Sequence, residues 1–180
     1  QKTLSHSLQI SQEGESAQLA LTLFSSRIKN MIVPTGTGYA NAAPVETRGA
    51  EAEFRDRLAK ALSVYGNWAY ALATAKEDLY GNLGADKKGW LGMPHQTFNL
   101  GLDVSLKENV SLDIHARGWR DALVDAYDET LGTNAVQGLG GEMALDAALS
   151  YRKVLGSSLS LSLFGTNLLD NDGRTPDQQI

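Results

Sequence analysis

Residues 95–117 read HQTFNLGLDVSLKENVSLDIHAR, and two interleaved sets of side chains run through them. Gln96, Phe98, Leu100, Leu102, Val104 and Leu106 form one set; His95, Thr97, Asn99, Gly101, Asp103 and Ser105 form the other. After Lys107-Glu108-Asn109 the alternation resumes, with Val110, Leu112, Ile114 and Ala116 against Ser111, Asp113, His115 and Arg117. Successive side chains point to opposite sides only in an extended strand. The stretch therefore predicts a β-hairpin with one apolar and one polar face.

The same period of two appears on both flanks. Leu19, Leu21 and Leu23 alternate with Gln18, Ala20 and Thr22, and Leu159, Leu161 and Leu163 alternate with Ser158, Ser160 and Ser162. Carried along the chain, the pattern predicts about eight strands, near 2–10, 17–30, 46–55, 61–73, 95–106, 110–118, 142–152 and 158–167. The connections near 11–16, 56–60, 107–109 and 153–157 are short, whereas those near 31–45, 74–94 and 119–141 are long and rich in Gly, Asn, Asp and Pro. Short and long alternate throughout. A transmembrane β-barrel has that arrangement, with short periplasmic turns and long extracellular loops. Glu51 to Tyr65 also fits a helix, with Phe54, Leu58, Ala61, Leu62 and Tyr65 at helical spacing. Thr47, Gly49, Glu51, Glu53 and Arg55 alternate cleanly, however, and decide for a strand.

With the long loops placed outside the cell, Trp68, Tyr70 and Phe98 fall on the apolar face near the outer rim. Phe54 and Tyr151 fall on the same face near the periplasmic rim. Lipid interfaces select such aromatic belts. Phe24 and Phe164 land on the polar side of their strands, which calls for a bulge or a packed lumenal element there.

Composition is compatible with this reading without suggesting it. The 180 residues are 42% hydrophobic and 21% charged, near average, as expected of a barrel that shows lipid at every second residue only. Val154 to Leu169, the longest uncharged run, is interrupted by Ser, Gly and Thr and falls short of a spanning helix. A helical membrane protein is excluded. Residues 1–10 have neither the basic start nor the apolar run of a signal peptide. A formal charge of -5 argues against a nucleic-acid partner. With no cysteine there is no disulfide, thiolate nucleophile or Cys-type zinc site.

No catalytic constellation emerges, so the chain reads as a non-enzyme without cofactor or resident metal. His6, His95 and His115 are dispersed, and solvated wall positions explain His95 and His115 better than metal ligation. Gly138-Leu139-Gly140-Gly141 lacks phosphate-loop spacing, and Asp170-Asn171-Asp172-Gly173 lacks the later ligands of a calcium loop and reads as a turn.

Five motifs, in order, resemble those of TonB-dependent outer-membrane receptors. Leu21-Thr22-Leu23-Phe24 through Ile28 and Ile32 resembles an early "L-x-x-F-x-x-x-I-x-x-x-I" strand. Thr47-Arg48-Gly49-Ala50-Glu51-Ala52-Glu53 is similar to "(S/T)-R-G-x-E-x-E", and Tyr65-Gly66-Asn67-Trp68-Ala69-Tyr70 to a "G-N-Y/W-x-Y/F" strand. Residues 94–101, PHQTFNLG, resemble a "P-x-x-x-x-N-L-G" opening, and Asn167-Leu168-Leu169-Asp170 resembles the "N-L-F/L-D" signature of the penultimate strand.

The resemblance implies an all-β, antiparallel transmembrane barrel, with residues 1–180 forming a C-terminal part of a barrel of about 22 strands. The plug domain, TonB box, earlier strands and final strand would lie outside these residues. It further implies TonB-energised uptake of a scarce, bulky nutrient such as a ferric siderophore, heme or cobalamin. The expected partners are the TonB complex, the nutrient ligand and outer-membrane lipid. Aromatic and polar residues of the long loops are the expected ligand contacts: Tyr39, Trp90, His95, Trp119, Arg120 and Tyr127. The alternatives are a complete eight-stranded membrane barrel with a structural or adhesive role, and a soluble ligand-carrying barrel. They are separable by topology. Eight strands with the curvature of about 22 cannot close, so the first strand, near Leu4 to Ile10, and the last, near Leu159 to Asn167, are expected as open edges.

Overall fold

The alternation seen in the sequence becomes one antiparallel sheet of eight strands, ordered β1-β2-β5-β6-β7-β8-β9-β10. Its strands are β1 (Lys2–Glu13), β2 (Ala17–Lys29), β5 (Val45–Ala59), β6 (Leu62–Ala75), β7 (Gln96–Lys107), β8 (Val110–Asp128), β9 (Thr133–Tyr151) and β10 (Leu161–Gly165). A separate hairpin, β3 (Ile32–Thr35) and β4 (Gly38–Asn41), lies within the connection that follows β2. The computed structural model describes residues 1–35, 38–41, 44–75, 92–128, 130 and 132–171.

Register assigns every side chain to a face, because directly opposed antiparallel partners share one. One unbroken row runs Ile10, Leu21, Ala52, Trp68, Phe98, Gly118, Met143 across seven strands. The row one residue away runs Ser11, Ala20, Glu53, Asn67, Asn99, Arg117, Ala144 on the opposite face. The apolar and polar sets are thus two coherent surfaces of a single sheet. No enclosed core lies behind the apolar one. Leu100 is 47% exposed and Leu21 44%, and among the described residues only Val45, Ala73, Ala122 and Val124 are buried hydrophobics. The sheet hollows on the other side: a cavity of about 660 Å³ is lined chiefly by polar-face residues of β1 through β8, among them Glu13, Glu53, Arg55, Asn67 and His115. Apolar side chains outward and polar ones around a hollow is the arrangement of a membrane barrel wall.

Glu51 to Arg55 lie inside β5, in register with both neighbours. The strand wins over helical propensity because both flanking strands offer it hydrogen-bonding edges. The belt aromatics meet as expected. Trp68 is the cross-strand partner of Phe98, and its ring lies 6.4 Å from that of Tyr70.

Of the two alternatives expected at Phe24, a bulge or a packed lumenal element, the bulge is not found. Phe24 pairs with Gly49 in unshifted register, and its ring occupies the space of a Gly49 side chain, since an ideal Cβ there would sit 2.3 Å from Phe24 Cζ. Three further pairs repeat the device: Phe54 over Gly66, Tyr65 over Gly101 and Phe98 over Gly118. In each pair the ring covers backbone that would otherwise lie bare. Phe164 has no such partner: it lies opposite Ala148 and is 76% exposed.

The long connection expected at 119–141 is mostly strand. β8 and β9 stay paired as far as Asp128 and Thr133. Ala122 and Val124 are buried there, but the return strand is rich in Gly and does not alternate, so the hairpin left no clear period of two. The passage is marked by Asp121 (φ 58) and Gly141 (φ 127), where a Cβ on Gly141 would meet Trp119 O at 2.4 Å. At the far edge β10 is shorter than expected, and a single 3-10 turn, Val154–Gly156, precedes it.

Among the described residues β1 pairs only with β2 and β10 only with β9. The sheet is open, and the eight-strand closure of a small complete barrel is not present.

Two outcomes follow from this packing, both measurable by denaturant titration of the protein in lipid. Leu102→Arg, on the apolar face, is expected to cost about 2 to 4 kcal/mol, whereas Asn99→Arg loses one side-chain hydrogen bond and costs about 1 kcal/mol. Equal costs would refute the two-faced wall. Gly101→Val, which drives a side chain into the Tyr65 ring, is expected to cost about 1 to 3 kcal/mol, and Tyr65→Ala in the same chain to recover part of it.

Candidate functional site

Strand alternation sends every second side chain to the hollow face, so the candidate site is assembled from residues far apart in sequence. Four successive strands build its lower part. Arg55 of β5 lies 5.6 Å above the centroid of the Tyr65 ring on β6; that ring covers Gly101 of β7. The Tyr65 hydroxyl donates to Asp113 Oδ2 of β8 at 3.4 Å. Asp113 stands directly opposite Asp103. Two facing carboxylates repel, so the Tyr65 hydroxyl and the nearby guanidinium are what make the pairing tolerable.

The upper part is built by the next rows. Asn99 Nδ2 donates to Asn67 Oδ1 at 2.8 Å. Arg117 Nε lies 3.5 Å from Asp146 Oδ2 on the adjacent strand. Trp119 sits between Thr97 and Glu142. A cavity of about 530 Å³ is lined here by Thr97, Asn99, Arg117, Trp119, Glu142 and Asn171, among others. Its lining mixes hydrogen-bond donors and acceptors with two aromatic side chains, Phe98 and Trp119, and the apolar Pro94, Met143 and Ala144, which suits a bulky ligand with both polar and apolar parts.

The chain after β10 closes this region. Asp146 Oδ1 accepts the Asn167 backbone N–H at 2.8 Å, so one carboxylate holds both Arg117 and the turn. The Asn167 side chain donates to Asn171 O at 2.8 Å and accepts the Asn171 N–H at 3.3 Å. Asn171 Nδ2 donates to Met143 O, and the Leu168 N–H donates to Leu145 O at 2.7 Å. Asn167 and Asp170 adopt positive φ, 50° and 51°, which asparagine and aspartate tolerate better than most residues. The Asn167-Leu168-Leu169-Asp170 motif is therefore a turn pinned onto β9.

The six residues expected to contact ligand do not form one cluster. Trp119 lines the upper cavity. His95 sits just before β7, its N–H donating to Asp121 O at 3.1 Å; among the described residues its Nε2 is the one buried side-chain N or O atom without a hydrogen-bond partner. Tyr39 is in the β3–β4 hairpin and 81% exposed. Arg120 shares the opposite, outward face with Gln96 and lies 3.9 Å from Asp121. Tyr127 pairs through its backbone with Asn134, and Trp90 lies outside the described residues. Asn67, Asn99, His115, Arg117 and Glu142, which also face the hollow, stand outside that set of six. Their signal was already present as the polar half of the alternation. Among the described residues no three His, Asp or Glu side chains gather into a metal site.

No curated protein matches the chain. Solved structures do. The ferric-catecholate import receptor Fiu from E. coli K12 superposes with a TM-score of 0.67 at 22% identity, over 94% of this chain and 24% of its own. The ferripyoverdine receptor of the outer membrane of Pseudomonas aeruginosa gives 0.74 at 16%, over 94% and 23%. The ferric yersiniabactin uptake receptor FyuA from Yersinia pestis gives 0.73 at 17%, over 94% and 25%. The chain thus spans about a quarter of the length of these proteins. The family described as TonB dependent receptor-like, beta-barrel matches residues 5–168. Sheet order, two-faced register and this match agree, and the chain belongs to the TonB-dependent receptor β-barrel family.

Proposed function

We propose that these residues form part of the wall of an outer-membrane receptor that imports a scarce, bulky nutrient, with a ferric siderophore the leading class of cargo. The supporting observation is the polar wall itself: Asn99, Arg117, Trp119 and Glu142 present a donor, acceptor and aromatic surface around the upper cavity, with Asn67 hydrogen-bonded to Asn99 beside it. Arg117 is held by Asp146 on the neighbouring strand, so its charge is oriented before any ligand arrives. An anionic chelate is well matched to a fixed guanidinium flanked by amides. The three solved relatives named above are ferric-chelate receptors by their own descriptions, which favours iron cargo over cobalamin or heme.

In this reading the wall does no chemistry. It binds and orients cargo, and transport energy comes from TonB acting through an N-terminal plug and TonB box, neither of which lies in these 180 residues. Of the six residues first expected to touch ligand, Trp119 and His95 remain the best placed. Tyr39, exposed in the β3–β4 hairpin on the extracellular side, would meet cargo before the wall does. Arg120, turned to the outward face, is the least suited of the six.

The test is uptake of radioiron-labelled siderophores by cells that carry the full-length receptor and lack other siderophore receptors. Uptake should require TonB. Arg117→Ala should weaken cargo binding about tenfold or more, the loss of a charge-assisted hydrogen bond, while Lys107→Ala at the opposite end of the wall should leave it unchanged. TonB-independent uptake, or binding indifferent to Arg117, would refute the proposal.

A further inference from the structure

On a membrane barrel the charged side chains are expected on the hollow face, yet at the upper end of β1, β2 and β5 the distribution is reversed. The outward face there carries Lys2 opposite Lys29, then Leu4, Arg27 and Glu46 in one row, then His6, Ser25 and Arg48 in the next. The hollow face at the same height is neutral: Thr3, Ile28 and Val45, then Ser5, Ser26 and Thr47, with Ser5 and Ser26 hydrogen-bonded at 3.0 Å. Arg48 stands one row above the row containing Tyr70, so the charges sit just beyond the aromatic belt, at headgroup level.

Folding alone does not account for the cluster. Glu46 bridges two guanidinium groups, Arg27 at 3.6 Å and Arg48 at 3.2 Å, which leaves an excess positive charge. Lys2 and Lys29 face each other directly, an arrangement that destabilises a sheet, and among the described residues neither has an acidic partner. Below them the same face is an uninterrupted aliphatic strip: Leu8, Ile10, Leu21 and Leu23 are 61, 67, 44 and 50% exposed. A ligand that fits has an anionic head on the cations and hydrocarbon chains along the leucines. Arginine and lysine both bind phosphate, arginine through paired N–H donors.

We propose that Lys2, Arg27, Lys29 and Arg48 form an outward-facing site for a phosphate group of an outer-leaflet glycolipid. The inference rests on the outer-membrane reading but not on the identity of the cargo. The same phosphate chemistry would fit free phosphate, but the aliphatic strip beneath the cations assigns the site to a lipid.

The experiment is native mass spectrometry of the detergent-solubilised full-length receptor, titrated in parallel with bisphosphorylated lipid A, dephosphorylated lipid A and inorganic phosphate. Heat-modified gel migration reports the folded barrel for every variant. That readout separates failure of the barrel reading from failure of the lipid site. Neutralising Lys2, Arg27 and Lys29 together to glutamine is expected to weaken binding of the bisphosphorylated lipid on the order of a hundredfold, about fivefold per cation. Lys60→Gln, at the opposite rim, should change nothing, and the dephosphorylated lipid should not distinguish the variants. If the triple variant does not fold, Lys29→Gln alone carries the test at about fivefold, with Lys29→Arg retaining binding. Unchanged affinity in the neutralised variant, or inorganic phosphate bound as tightly as the lipid, would overturn the proposal.

Discussion

Within hydrocarbon a backbone N–H or C=O has no water to turn to, and each one left unpaired costs several kcal/mol. The regularity of the sheet follows from that constraint. β2 and β5 pair without a shift from Ala17 to Ile28, and β6 and β7 from Leu62 to Tyr70. The two register shifts, between Asp56 and Ala59 and between Ser105 and Lys107, both sit beside short turns, where solvent can satisfy a displaced group. At the other end, the positive φ values at Asp121 and Gly141 mark the passage into the projecting hairpin. Irregularity is confined to the rims, and the ladder between them is continuous.

A continuous ladder must still be held in one register, because a slip by one residue would exchange the two faces. The aromatic–glycine pairs serve this end. Phe54 over Gly66 and Phe98 over Gly118 lie on the outward face; Phe24 over Gly49 and Tyr65 over Gly101 lie on the hollow face. Each ring fits only where the neighbouring strand lacks a side chain, so together they index β2 through β8. Tyr65 serves twice, since the ring that covers Gly101 also carries the hydroxyl bound to Asp113.

The same alternation that seals the lipid side supplies the polar wall. Among the described residues one cross-strand ion pair stands on this wall, Arg117 to Asp146, and Asp146 in turn holds the Asn167 turn. A wall of this kind is pre-organised, because its side chains are oriented by neighbours on a stiff sheet. The family's asparagine-containing motif acquires a physical role here, for it is the Asn167 side chain that closes the turn onto β9 through Asn171.

The sequence alone determined the fold class, because a period of two is visible wherever one face meets lipid and the other water. Leu100 against Asn99, and Leu112 against Asp113, announce their faces without a structure, and five motifs in order pointed to the family. Where that contrast weakens, legibility ended too: residues 119–128 and 133–141 form paired strands whose short apolar set, with Ala122 and Val124 buried, faces a return strand rich in Gly, so they read as loop. Phe24 looked misplaced for a related reason. Its partner, Gly49, is twenty-five residues away, and only register brings the ring over the missing side chain. The site was legible residue by residue, since Asn99, Arg117 and Glu142 were already in the polar set or next to it, but not as a group. Which of them meet is decided by inter-strand register, a set of long-range hydrogen bonds that no local pattern encodes. The reversal of charge at Lys2, Arg27, Lys29 and Arg48 was hidden in the same way, because a face can be named only once the strands are paired.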